Sequence, residues 1–357
     1  MEQLPLSSPV SNDFSLTPTA TRRAFNRVGL GLSLCLIGGA LLFLGVCLLL
    51  PQDLHQDVLL LLNTLCLDVG GKLLALLFLH ALPNAEFEKR TLTPRQWIGV
   101  LSIAYMLMYA GNLAGTGLSY LIYPGAENPL LTTLGQDNLT LLTIMDLILF
   151  APVLEELLFR RLLLNKIARW GELPAMVFSG LAFGLFHGNL FQFFYAFLLG
   201  MLLAFVYMRT GRILYPILIH AFVNTIGGVL PLLLNTMDPS SVPASMLTLL
   251  FSVSILALVA VGIVSLWRFF KTFKLNKCPQ QGSVRWMYLN PGTILFVLIC
   301  LLLMLSSLFG TQLLEHSQKS RVKAEKTKIF FRRLQAASAT YLSKSDPDVS
   351  KPKISRG

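Results

Sequence analysis

Nine apolar runs, separated by short polar and charged stretches, begin near Val28, Val58, Trp97, Leu139, Pro174, Asn189, Ile213, Met246 and Ile294. The hydrocarbon core of a bilayer is about 30 Å thick, and a helix needs roughly 20 residues to cross it. Most of the runs are that long. The one from Pro174 is short, because His187-Gly188-Asn189 interrupts it, and the one from Ile294 to Phe309 is marginal. The pattern predicts an all-α, polytopic membrane helical bundle of about eight or nine transmembrane helices.

Composition agrees. Of 357 residues, 54% are hydrophobic and 13% charged, with a mean hydropathy of +0.65, which is more apolar surface than a soluble domain can hide. The first run follows a polar, Ser/Thr/Pro-containing stretch and lacks a small-residue cleavage pattern, so the N-terminal tail is expected to stay attached. The net charge of +11 raises the question of nucleic acid. Lysine and arginine, however, cluster beside the apolar runs and in a tail from Lys319 to Arg356. That placement fits membrane topology and attraction to anionic lipid, and no nucleic-acid partner is expected. Arg22, Arg23 and Arg27 precede the first run, Asp53 and Asp57 follow it, and Lys89, Arg90 and Arg95 come next. This alternation predicts a multi-pass protein of the cell membrane with a cytoplasmic N-terminus. Cys35, Cys47, Cys66 and Cys300 lie in apolar runs and Cys278 in a loop, with no paired or metal-like spacing, so they read as packing residues.

An ionisable side chain inside a span is costly unless paired or solvated, and each is therefore a functional hypothesis. In "EELLFR", Glu156 and Arg160 are four residues apart and face one another on a helix, in the order that favours pairing. Glu155, rotated from Glu156 by roughly 100°, has Phe159 as its own i+4 neighbour and no local cation. A carboxylate without a compensating charge is suited to take a proton from water near neutral pH. Glu155 is the better candidate base. "FGLFH" brings Phe183 and His187, and "HAFVN" brings His220 and Asn224, four apart on one helix face. If Gly171 and Glu172 form the turn of a helical hairpin, Glu155 and His187 share a depth of about 24 Å, whereas His220 lies about 14 Å beyond Gly211.

Glu-Glu-x-x-x-Arg, then Phe-x-x-x-His, then His-x-x-x-Asn on successive membrane helices resembles the CAAX-protease and bacteriocin-processing (Abi) family of intramembrane proteases. The likeness covers roughly Leu139 to Leu233. It implies that Glu155 activates the attacking water with help from His187, that His220 and Asn224 steady the water or the oxyanion, and that Glu156, Arg160 and Phe183 support the site. It also raises a divalent metal such as zinc on Glu155, His187 and His220, although the local His-Glu-x-x-His spacing is absent. The implied partners are the lipid bilayer and a peptide or protein substrate at the membrane, such as a prenylated protein or a peptide precursor. The chain then divides into a cytoplasmic tail (1–27), N-terminal transmembrane helices (28–138), catalytic-core helices (139–233), C-terminal transmembrane helices (234–310) and a basic, disordered tail (311–357).

Motifs of site-2, rhomboid-like and presenilin-like proteases are missing. Two readings from other classes compete. One is a non-proteolytic immunity or peptide-binding protein. The other is a transporter lined by Asp68, Lys72 and Asp146, which lacks visible inverted repeats. Asp68 and Lys72 form an i,i+4 ion-pair pattern, and Asp146 lies on the face opposite Glu155. Pro152 is expected to bend its helix and free a carbonyl near the glutamates. Ala196, Gly200 and Ala204 form a small-residue packing stripe. His55 and His80 belong at span ends.

Overall fold

Thr17 accepts a hydrogen bond from the Ala20 amide (3.2 Å), and Pro18 enters the first turn without an amide to satisfy. Helix α1 (Pro18–Leu49) therefore starts well ahead of its apolar run. The computed structural model describes residues 17–51, 53–129, 140–238, 240–272 and 284–310. By internal contacts, Met1–Leu308 forms one unit and Phe309–Gly357 a second, of which only residues 309 and 310 are described. The basic tail expected at 311–357 and Cys278 lie outside the described residues.

After α1 come α2 (Gln56–Leu79), α3 (Pro94–Ile122), α4 (141–167), α5 (Glu172–Phe186), α6 (Leu190–Thr210), α7 (Leu214–Asn235), α8 (Val242–Thr272), a single turn α9 (Arg285–Tyr288) and α10 (Pro291–Gly310). The described residues contain no strand, and each of the nine apolar runs is a helix. Seven are long and apolar enough to cross a membrane. The other two are α5, which is short, and α4, which carries Asp146, Glu155, Glu156, Arg160, Arg161 and Lys166. Large side chains such as Leu49, Leu121 and Leu256 are exposed, and α8 is almost wholly uncovered by protein. Surface of this kind, on helices long enough to span a bilayer, suits lipid rather than water. The chain is a multi-pass membrane protein.

In lipid, apolar side chains gain little by leaving acyl chains for protein, so helices associate by close approach and polar contacts. Helix α6 is packed most extensively, against α5 on one side and α3 on another. At its crossing with α5 a Cβ on Gly200 would lie 2.9 Å from the Cα of Gly180, backbone against backbone. Ala196 and Ala204 are fully buried on the same stripe. The turn between α4 and α5 is tied to α1, where Trp170 Nε1 donates to Thr21 Oγ1 (2.8 Å) and Phe25 packs edge-on against Trp170.

Three helices carry wide, π-type turns: α2 at Thr64–Gly70, α4 at Asp146–Phe150 and Leu157–Leu164, and α7 at Thr225–Val229. Such turns are frequent at functional sites. Lys72 and Asp68 are paired, and the other acid at this depth, Asp146, accepts from Thr64 Oγ1 of α2 (3.2 Å). Asp146 thus faces a different neighbour from Glu155. His55 caps the start of α2 and His80 its end.

Candidate active site

Pro152 positions the first element of the site. In the wide turn before it, the Ala151 amide bonds five residues back to Asp146 O. In that register the next carbonyl, Leu147 O, would wait for the amide of residue 152, and proline has none. Asn224 Nδ2 donates to Leu147 O instead, at 2.9 Å. The carbonyl freed by Pro152 is therefore what fastens α7 to α4.

Next to this joint, Glu156 and Arg160 are both fully buried, with Arg160 Nε 2.8 Å from Glu156 Oε2. Their angle falls outside hydrogen-bond geometry, and the other guanidinium nitrogens have no hydrogen-bond partner. Charge and ring faces hold Arg160, its Cζ lying 4.8 Å from the Phe183 centroid. Glu156 has a second partner: its Oε1 lies 3.0 Å from His220 Nδ1. A carboxylate paired with arginine is acceptor-only, so His220 Nδ1–H donates. This turns Nε2 of His220 toward Glu155, whose Oε2 is 3.9 Å away and, though buried, has no hydrogen-bond partner.

Helix α5 ends at His187, whose Nδ1–H donates to Phe183 O (2.8 Å), leaving Nε2 as its outward nitrogen. Gly188 then turns the chain at φ 61°, a conformation other residues resist, and Asn189 starts α6. The Phe183 ring meets both imidazoles edge-on, at 4.9 Å from His187 and 5.6 Å from His220. Phe183 is the wedge that sets the two histidines against Arg160.

Glu155, Phe183, His187, His220 and Asn224 line one cavity of about 260 Å³. Glu156 and Arg160 lie behind it. Asn112, Gln192 and Tyr195 also line it and were not among the residues expected from sequence. Gln192 was findable, since Asn189-x-x-Gln192 is a helix-start pattern. Among the described residues no three His, Cys, Asp or Glu side chains are grouped to hold a metal ion. The donors thought of for zinc, Glu155, His187 and His220, thus do not form a ready-made ligand set. A larger open groove of about 680 Å³ between α3 and α8 has arginines but no carboxylate or imidazole in its lining, and offers no acid–base chemistry.

Residues 137–226 match the family described as Rce1-like, type II CAAX prenyl endopeptidase. That stretch is 90 of the 357 residues and includes Glu155, Glu156, Arg160, Phe183, His187, His220 and Asn224. The matched segment is thus similar to a family of prenyl endopeptidases. The chain is also similar to an Escherichia coli protein described as an uncharacterized 24.3 kDa protein. They are 27% identical over 152 residues, covering 37% of this chain and 70% of the relative. No solved structure matches.

Proposed function

We propose that the chain is an intramembrane endopeptidase of the CAAX-processing type, in which Glu155 activates water held in the cavity between α3, α4, α5, α6 and α7. The observation that carries this reading is the bare Glu155 Oε2 beside a histidine whose other nitrogen is fixed by Glu156. A base, an orienting pair and a wet pocket are what hydrolysis needs. The cavity has room for water and a carbonyl group, since one water takes about 30 Å³.

In this reading Glu155 takes the proton from water with His187 alongside, and the resulting hydroxide attacks the scissile carbonyl. His220, held through Nδ1, presents Nε2 to the cavity and steadies the attacking oxygen or, when protonated, donates to the oxyanion. Asn224 spends one Nδ2–H on Leu147 O and keeps a second for the cavity. No step is routed through a metal. Residues 139–233 form the catalytic core, the N-terminus lies in the cytoplasm of a cell-membrane protein, and the substrate is a peptide reached at the membrane.

The test is cleavage of a peptide library by the purified full chain in detergent, comparing wild type, Glu155→Gln and Glu156→Gln with and without chelator. The expected result is at least about 10²-fold loss in Glu155→Gln, the range for a general base. Its thermal unfolding should be unchanged, because the oxygen that is lost has no hydrogen bond to lose. Undiminished cleavage by Glu155→Gln would overturn the assignment.

A further inference from the structure

The start of α6 carries a chain of hydrogen bonds whose direction can be read from one end to the other. The Gln192 amide N–H is a donor without alternative, so the Asn189 oxygen it meets at 2.9 Å is Oδ1. The remaining Asn189 group, Nδ2, must then face an acceptor on the Gln192 side chain, Oε1. That leaves Gln192 Nε2 to donate to the Tyr195 hydroxyl, at 2.7 Å. Tyr195 OH is therefore an acceptor on this side. Its own proton is turned away from Gln192.

Tyr195 is one of the residues that line the cavity together with Glu155, His187 and Asn224. The Tyr195 ring leans on the His187 ring, 6.3 Å between centroids. Behind it, α6 is pinned to α3: a Cβ on Gly111 would lie 2.4 Å from Tyr195 Cα, so the backbone bearing the tyrosine has no freedom to withdraw.

We propose that Tyr195 is a further catalytic residue, its O–H donating a hydrogen bond to the oxyanion formed on the substrate, with Asn189 and Gln192 as positioning residues that fix the direction of that proton. The inference rests on the endopeptidase reading and adds a donor to it. As water attacks, its proton passes to Glu155 and the carbonyl π pair moves onto oxygen, where Tyr195 O–H meets it without giving up its proton. When the C–N bond breaks, the pair returns to form C=O, and the leaving nitrogen takes the proton from Glu155.

The experiment measures kcat and KM for a cleaved peptide in wild type, Tyr195→Phe, Gln192→Glu, the double variant and Glu155→Gln, with thermal unfolding of each in detergent. Tyr195→Phe should lower kcat by about 10²-fold, as loss of one oxyanion donor does, with KM within about threefold and unfolding unchanged. In Gln192→Glu the hydroxyl remains, but a carboxylate now accepts its proton. The kcat should fall similarly, and adding this change to Tyr195→Phe should cost nothing more. A merely structural pair would show its losses in thermal unfolding rather than in kcat. Wild-type kcat in Tyr195→Phe, or additivity, overturns the proposal. If Glu155→Gln stays active or wild type cleaves no peptide, the endopeptidase reading fails and takes this inference with it; loss in Glu155→Gln alone sinks only the tyrosine.

Discussion

Two helices of this protein carry the same signature in sequence, an acid followed four residues later by a base: Asp68 and Lys72 in α2, Glu156 and Arg160 in α4. Both pairs form, and both lie in or against a wide helical turn. Their surroundings differ. The Asp68 and Lys72 side chains are 25% and 10% exposed and complete each other. Glu156 and Arg160 are at 0%, and Glu156 also binds His220 from 64 residues away. The same local pattern closes on itself in one helix and reaches across the bundle in the other. Periodicity reports only the first property.

The difference is best broken at Glu156. Glu156→Gln leaves Arg160 buried without its counter-ion and frees His220 Nδ1. Stranding one partner of a buried pair costs about 3–5 kcal/mol. Unfolding in detergent should shift by that amount, and cleavage should fall with it. A shift no larger than that of Asp68→Asn would mean that the pair is no tighter than the one in α2. Next in size is Arg160→Lys. The charge stays beside Glu156, while the flat guanidinium over Phe183 is lost, at an expected cost of about 1–2 kcal/mol. Because Phe183 also meets both imidazoles, kcat should drop more than KM rises. An unchanged kcat would separate the ring stack from the chemistry.

How much of this was legible in the sequence follows the range of each interaction. Every apolar run became a helix because burial in lipid demands that backbone groups be satisfied locally. Helix starts were not legible where caps decide: behind Thr17, α1 begins at Pro18, ahead of the apolar run that starts near Val28. The Glu156–Arg160 pair was readable because four residues span one turn. The Glu156–His220 bond was not, since a depth ruler put His220 about 10 Å short of the glutamates' depth. The two turns it measured from do not share a depth, or the helices are inclined. The role of Pro152 was half visible: a freed carbonyl was expected, but not that Asn224 would take it. Tyr195 went unseen because an aromatic in an apolar run looks like packing until its hydroxyl is traced to Gln192.

The smallest effect belongs to Asp68→Asn. Lys72 loses its partner, yet it is a compact charge on a flexible stem, and with 10% of Lys72 and 25% of Asp68 exposed against none of Glu156 or Arg160, part of the loss is recovered by solvation. An incompletely buried pair should contribute less than the about 3–5 kcal/mol of a fully buried one. Unfolding should move by no more than this, and the pH–rate profile of cleavage should stay in place, because Asp68 does not line the cavity and its hydrogen bond goes to Lys72. Asp146 is the check on that independence. It bonds to Thr64, one turn from Asp68, while lying in the same helix as Glu155. If Asp68→Asn shifts the profile, the two helices are electrostatically coupled through Asp146 and the contrast between the pairs dissolves. If it does not, the α2 pair serves only the bundle, and of the two pairs it is the one in α4, bound across the bundle to His220, that would support the proposed site.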